Sequence, residues 1–272
     1  MARLYRKSSL GDVVLLGAVT AAMPGCTVIT AERYMSVARR LIGVGAVEPW
    51  SAPVDGVDLQ TRRLCGSRRR NHTLRRRLWQ LGLAAPRASI PELYAAACGV
   101  TPQKLPWIEV PAMERDTLAV VPGASKPTKC WSEAGFRELL LAWEGPRVVL
   151  GGPGEEALCA RVAEGTGASV VCESGFDATI EVLARTRVAV AGDTGLMHLA
   201  GACGARVVAL FGPTHPDDGF FVYPGRVLQR TLGCRPCSLH GAVSCPLGEQ
   251  RCLSFRSPEV LAAVRAEWSC TG

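Results

Sequence analysis

The sequence predicts an α/β protein of two domains, each a parallel sheet covered by helices. Three observations carry this. The N-terminal segment alternates strand-like and helix-like stretches, residues 117–211 repeat that alternation across five strand-like runs, and a proline-rich stretch lies between the two series. A chain of 272 residues has room for two modest cores.

Leu4-Tyr5-Arg6 reads as the first strand, and a helix is expected from Gly11, with Val13, Val14, Leu16 and Val19 facing a sheet and Gly17 allowing close packing. Pro24-Gly25 marks a turn before the β-branched strand Thr27-Val28-Ile29-Thr30, and a helix is predicted over 31–42. Pro86, Pro91, Pro102, Pro106 and Pro111 mark the approach to an interdomain connection, giving an N-terminal domain over 1–112. A second doubly wound domain is expected over 113–256. Its strands are 117–121, 147–150, 169–172, 187–191 and 206–211, and its helices are 133–143, 155–164, 177–186 and 194–202. Residues 257–272 read as a terminal helix with Ser257 as cap and Pro258 at its first turn.

Composition narrows the function classes. With 48% hydrophobic and 20% charged residues the chain is globular rather than disordered. No apolar run reaches the ~20 residues that a membrane-crossing helix needs. Arg3, Arg6 and Lys7 ahead of an apolar run imitate a secretion signal, but Asp12 interrupts that pattern, so the chain is expected in the cytoplasm. The net charge of +7 is concentrated in Arg62, Arg63, Arg68, Arg69, Arg70, Arg75, Arg76 and Arg77. Such a patch attracts phosphate on a lipid, a nucleic acid or a sugar, and it permits peripheral membrane association; a plainly solvated basic face is the alternative.

Sites in doubly wound sheets lie beyond the carboxyl ends of the strands. Four loops there hold unusual residues: 125–129, 151–155, 193–198 and 212–214. Asp193 or Thr194 is placed to cap the next helix, whose free amides and positive dipole end suit a diphosphate. His198 lies one turn beyond Thr194, positioned either to donate to a phosphate or to serve as a structural hydrogen-bonder.

Asp193-Thr-Gly-Leu-Met-His198 followed by Val207-Val-Ala-Leu-Phe-Gly-Pro-Thr214 resembles the heptosyltransferases of glycosyltransferase family 9. Ser8-Ser9-Leu10-Gly11-Asp12-Val13, Pro122-Gly123-Ala124 and Lys129-Cys-Trp131 extend the resemblance, in the same order along the chain. It implies the GT-B architecture, two Rossmann-like domains facing a central cleft, with the terminal helix crossing back to the first domain. It implies an inverting transfer, without a catalytic metal, of a heptose-like sugar from a nucleotide-diphosphate donor, ADP-linked in the family, to an acceptor hydroxyl.

Carried onto this sequence, the resemblance makes Asp12 the general base and Lys129 the cation that meets the departing diphosphate. Ser125, Glu155, Asp193, Thr194, Gly195 and His198 form the donor side, with Glu155 on the ribose and Asp193 on sugar hydroxyls. Ser9, Arg68, Arg69 and Arg70 form the acceptor side. Helix capping by Asp12 and dipole complementarity at Glu155 are the structural alternatives. Trp131 is followed by Ser132 where the family commonly has proline, and the N-terminal half is short for the family, which leaves the acceptor open among glycan, protein and nucleic acid.

Cys234, Cys237, Cys245 and Cys252, within a cysteine-rich loop over 233–253, have spacings suited to a structural zinc or iron site, and they resemble a pattern in part of the family. Three other readings stay open. They are a transferase acting on nucleic acid or modified DNA through the arginine patch, a sugar-nucleotide epimerase, and a non-enzymatic nucleic-acid-binding protein built on that patch and the four cysteines.

Overall fold

The computed structural model describes residues 1–51, 55–60, 89–172 and 175–270. Two compact units result: Met1–Ile108 with Pro216–Val222, and Glu109–His215 with Tyr223–Gly272. The arginine cluster, including Arg68, Arg69 and Arg70, lies outside the described residues.

The first unit holds a parallel sheet of β1 (Arg3–Tyr5), β2 (Cys26–Thr30), β3 (Val44–Pro49) and β4 (Val57–Asp58), in the order β3-β2-β1-β4. The single helix expected from Gly11 is two short ones, α1 (Leu10–Leu15) and α2 (Gly17–Thr20). The Trp107 ring lies on Gly17, where a Cβ would come 2.9 Å from Trp107 Cγ. The helix predicted over 31–42 is a 3-10 turn, Glu32–Tyr34, followed by α3 (Met35–Arg39). Within the proline-rich stretch stands a helix the sequence reading missed, α4 (Ile90–Cys98). The Ser89 hydroxyl accepts from Glu92 N (3.3 Å) and Glu92 Oε2 accepts from Ser89 N (2.6 Å), a reciprocal cap, and Gly99 ends the helix at φ 67°.

The second unit is a six-stranded parallel sheet: β5 (Thr117–Val121), β6 (Arg147–Gly151), β7 (Ser169–Cys172), β8 (Thr186–Gly192), β9 (Arg206–Phe211) and β10 (Gly225–Gln229). The order β10-β9-β8-β5-β6-β7 is doubly wound, with its switch point between β5 and β8. The helices are α5 (Glu133–Leu141), α6 (Glu156–Ala163), α7 (Asp177–Arg185), α8 (Gly195–Ala202) and α9 (Ser257–Trp268).

Leu118, Val120, Val149, Val188, Val190, Val208 and Leu210 pack on Phe136 and Leu140 of α5, Val162 of α6 and Val264 of α9. The alternate residues Ala119, Val121, Leu150, Ala189 and Ala209 are also buried, so both faces are covered and the strands read as unbroken apolar runs. A fully buried side chain such as Phe136 contributes about 2–3 kcal/mol.

The terminal helix α9 packs on α5, β8, β9 and β10, within the second unit. Trp268 meets Trp143 edge-on at 4.6 Å, and the buried Glu267 pairs with Arg206 (2.6 Å) and Arg226 (3.3 Å). Ser257 does not cap it. Its hydroxyl donates to Glu138 Oε2 at 2.5 Å, and Glu259 takes the capping role by accepting from Arg256 N at 2.9 Å. Among the described residues no helix is long and apolar enough to cross a membrane.

Candidate functional site

In the first unit the polypeptide leaves β1 at Arg6, turns through Ser9 and enters α1, which sets Asp12 in the helix's first turn. The N-cap is Ser9, at φ 76° and without a side-chain capping bond, so Asp12 is not the cap. A carboxylate in the first turn is favoured by the helix dipole. Asp12 also has two specific partners. The Arg6 guanidinium forms a buried ion pair with Oδ2, and the Tyr94 hydroxyl from α4 donates to Oδ1 at 3.3 Å. Arg6, Asp12 and Tyr94 are 6%, 8% and 0% exposed, so the carboxylate is held by packing and by charge. In the order β3-β2-β1-β4, β1 lies between strands on either side, which puts this trio at a natural ligand position of its own sheet.

In the second unit the loops after β5, β6, β8 and β9 leave the same end of the parallel sheet. Lys129 ends a 3-10 turn, Pro127–Lys129, that follows β5. Its Nζ lies 3.1 Å from Asp193 Oδ2, and both side chains are largely buried. The Lys129 carbonyl sits against Gly192, where a side chain would not fit. Thr194 is the N-cap of α8, in extended conformation, but its hydroxyl makes no capping bond, contrary to the expected side-chain cap. Asp193 does not cap either, since its carboxylate faces Lys129. The first amides of α8 and an ammonium therefore stand together at the switch point, the arrangement that stabilises a diphosphate.

Glu155 stands at the N-cap of α6, and its Oε2 accepts from Gly152 N at 2.8 Å. The same carboxylate covers Gly123 after β5, where a Cβ would collide with it. Ser125 is exposed on the bend that follows. His198, on α8, has a partner outside this set. It is 4% exposed, and its Nδ1 shares a 2.9 Å hydrogen bond with the Tyr223 hydroxyl, their rings edge to face. Burial pushes the Tyr223 phenol well above its ordinary pKa, so the pair is neutral on the tyrosine side.

The four cysteines do not assemble as expected. Among the described residues no group of three or more His, Cys, Asp or Glu is arranged to hold a metal, so the geometry lends no support to the structural zinc or iron site expected of Cys234, Cys237, Cys245 and Cys252. Cys245 Sγ donates to Glu249 O at 3.3 Å, and burial pushes the Cys252 thiol up from its ordinary pKa. Arg235 does the anchoring instead. Only 4% exposed, it donates to the carbonyls of Gly212, Thr214 (3.1 Å) and Arg230 (2.6 Å). Cys237 N adds a bond to Pro213 O at 3.0 Å, so the loop after β9 is fixed by hydrogen bonds. Arg235, Tyr223, Thr128 and Gln250 escaped the sequence reading because their partners are distant in the chain.

Residues 70–223, more than half of the chain, match the description glycosyltransferase family 9 (heptosyltransferase). The chain is similar to lipopolysaccharide heptosyltransferase 1 of Pseudomonas aeruginosa, 35% identical over 143 residues that cover 49% of this chain and 39% of that protein. It is similar to lipopolysaccharide heptosyltransferase 2 of Escherichia coli, 35% identical over 115 residues covering 38% and 33%. The matched stretch is thus less than half of either relative. The E. coli heptosyltransferase WaaC, solved with ADP, has the same fold at a TM-score of 0.66, with 19% identity over 98% of this chain and 99% of that one.

Proposed function

The chain belongs to glycosyltransferase family 9, and on that basis we propose that it transfers a sugar from an ADP-linked, heptose-like donor to an acceptor hydroxyl with inversion. The single observation that carries the donor side is Lys129 Nζ at 3.1 Å from Asp193 beside the N-terminus of α8, at the sheet's switch point. The ADP in the similar WaaC structure supports the nucleotide.

In this reading the acceptor oxygen forms a bond to the anomeric carbon as the bond to the diphosphate breaks. The hydroxyl proton passes to the Asp12 carboxylate, whose orientation Arg6 and Tyr94 fix. Charge growing on the leaving phosphate is met by the Lys129 ammonium and by the Thr194 and Gly195 end of α8, without a metal in the chemistry. Asp193 turns from Lys129 to the sugar hydroxyls, and Glu155 meets the ribose. The acceptor is a glycan, as in the lipopolysaccharide enzymes the chain is similar to.

The test is a panel of nucleotide sugars scored by thermal stabilisation, followed by ADP release with and without lipopolysaccharide core acceptor. Selective stabilisation by ADP-heptose with acceptor-dependent ADP release is expected. Release that is independent of any acceptor would overturn transfer in favour of donor hydrolysis or rearrangement.

A further inference from the structure

Lys129 is held from outside its own turn. Thr128, immediately before it and 4% exposed, makes a closed pair of bonds with one residue of the cysteine-rich loop: Oγ1 donates to Ala242 O at 2.8 Å and accepts from Ala242 N at 2.7 Å. A third bond runs from Thr128 N to Ala242 O at 3.3 Å, and Gln250 Nε2 donates to Thr128 O at 2.7 Å. Beside these bonds, Gly241 lies directly on the Lys129 stem. It has φ +79°, and a Cβ there would stand 2.8 Å from Lys129 Cγ and 2.9 Å from Lys129 Cδ and Lys126 Cβ. Ser238 Oγ donates to Gly241 O at 3.1 Å and accepts from His240 N at 3.2 Å, which fixes the turn that presents this glycine.

Each contact has a direction. A lysine has four rotatable stem bonds, and an exposed one spreads its ammonium over many positions. Here the stem lies between Gly241 on one side and the Asp193 carboxylate at its tip. The side chain at 241 is absent where a Cβ would occupy the stem's place, and the left-handed φ independently favours glycine. Three loop residues, Gly241, Ala242 and Gln250, therefore act on one turn whose last residue carries the charge.

We propose that the loop after β10 is the positioning element for the Lys129 ammonium, with Thr128 and Gly241 as positioning residues that set donor diphosphate affinity through Lys129. This rests on the reading of Lys129 as the diphosphate cation. It also gives the cysteine-rich loop a role that needs no metal.

The experiment measures ADP affinity by calorimetry and ADP-heptose turnover in Thr128→Val, Gly241→Ala, Lys129→Ala and the double variant Thr128→Val/Lys129→Ala. Thr128→Val keeps the shape and removes the paired hydroxyl bonds, so ADP affinity should fall about tenfold. Thr128→Ser should restore it. In the Lys129→Ala background Thr128→Val should cause no further loss, because its effect passes through the missing ammonium. Should Gly241→Ala fail to fold, Gln250→Ala takes its place.

Wild-type affinity in Thr128→Val together with a weakened Lys129→Ala would overturn this inference alone. Losses that add in full in the double variant would overturn it as well, since they would show a general effect on folding. Wild-type affinity in Lys129→Ala would instead remove the donor-site reading on which it stands.

Discussion

Lys129 and Asp193 face each other at 3.1 Å from loops that follow β5 and β8, the two strands flanking the switch point of the second sheet. The carboxylate holds the ammonium beside the start of α8, and in the proposed reaction Asp193 releases it to the donor diphosphate. Lys129→Ala is expected to lower kcat by about 10²–10³-fold, the size seen when one preorganised donor is removed from a developing anion. Steady-state kinetics at saturating donor reads this directly. A kcat equal to wild type would refute the assignment.

Asp12 and Arg6 are a different kind of pair, because both are buried. Asp12→Asn preserves shape but strands the Arg6 charge, which costs about 3–5 kcal/mol. The variant should melt at a lower temperature and lose transfer. Adding Arg6→Met to it should recover stability and leave transfer absent, which separates the chemical role of the carboxylate from its structural one. Recovery of transfer in the double variant would show that Asp12 is needed only to neutralise Arg6.

Legibility followed burial. The strands 117–121, 187–191 and 206–211 were readable because apolar, β-branched runs covered on both faces leave a signal in sequence that needs no partner to interpret. Strands β3 and β10 are half-exposed edges, and β3 includes Gly45 and Pro49, so their composition resembles loop. Helix α4 was overlooked because Pro91 suggested a linker, although Ser89 and Glu92 carried the capping-box spacing. The candidate site residues were suggested by motif, whereas the pairing of Lys129 with Asp193 depends on a strand order that is not sequential. Nothing local marks Thr128 as a partner of Ala242, or Arg235 as the anchor of Gly212 and Thr214.

Glu155 and Gly123 form a testable couple. Gly123→Ala would drive a Cβ into the Glu155 carboxylate, so it should reduce ADP affinity as Glu155→Ala does. A ribose contact also predicts a specific signature. The wild type should prefer ADP over 2′,3′-dideoxy-ADP, and Glu155→Ala should bind both alike. Persistent discrimination in that variant would leave Glu155 as a partner of the Gly152 amide only.

Ser9 occupies φ 76° without being glycine, a conformation that costs about 1–3 kcal/mol and persists only where its surroundings impose it. Ser9→Gly should raise the melting temperature. If the Ser9 hydroxyl serves the acceptor, the same variant should raise the acceptor KM while donor KM stays unchanged. A lower melting temperature would contradict the strain.

Cys159 is expected to contribute to a loss of stability at alkaline pH. Burial, reinforced by Cys172 and by Glu155 and Glu156, pushes its thiol from the ordinary 9.0 to about 12, and Cys172 is shifted the same way by its own burial. In the unfolded chain the thiol loses its proton near 9.0, while in the folded chain it keeps it to about 12. The unfolded state therefore binds fewer protons than the folded state across that window, and stability falls as pH rises through it. Below 9.0 both states are protonated and the contribution is fully present. Melting temperatures between pH 8 and pH 11 should thus decline more steeply in the wild type than in Cys159→Ala, whose lower starting stability reflects the small cavity left against Gly151. Iodoacetamide reacts with thiolate only, so in the native protein at neutral pH Cys159 should stay unlabelled while the exposed Cys237 and Cys270 react. Rapid labelling of native Cys159, or parallel pH profiles for the two proteins, would show that its thiol is not held neutral by the fold.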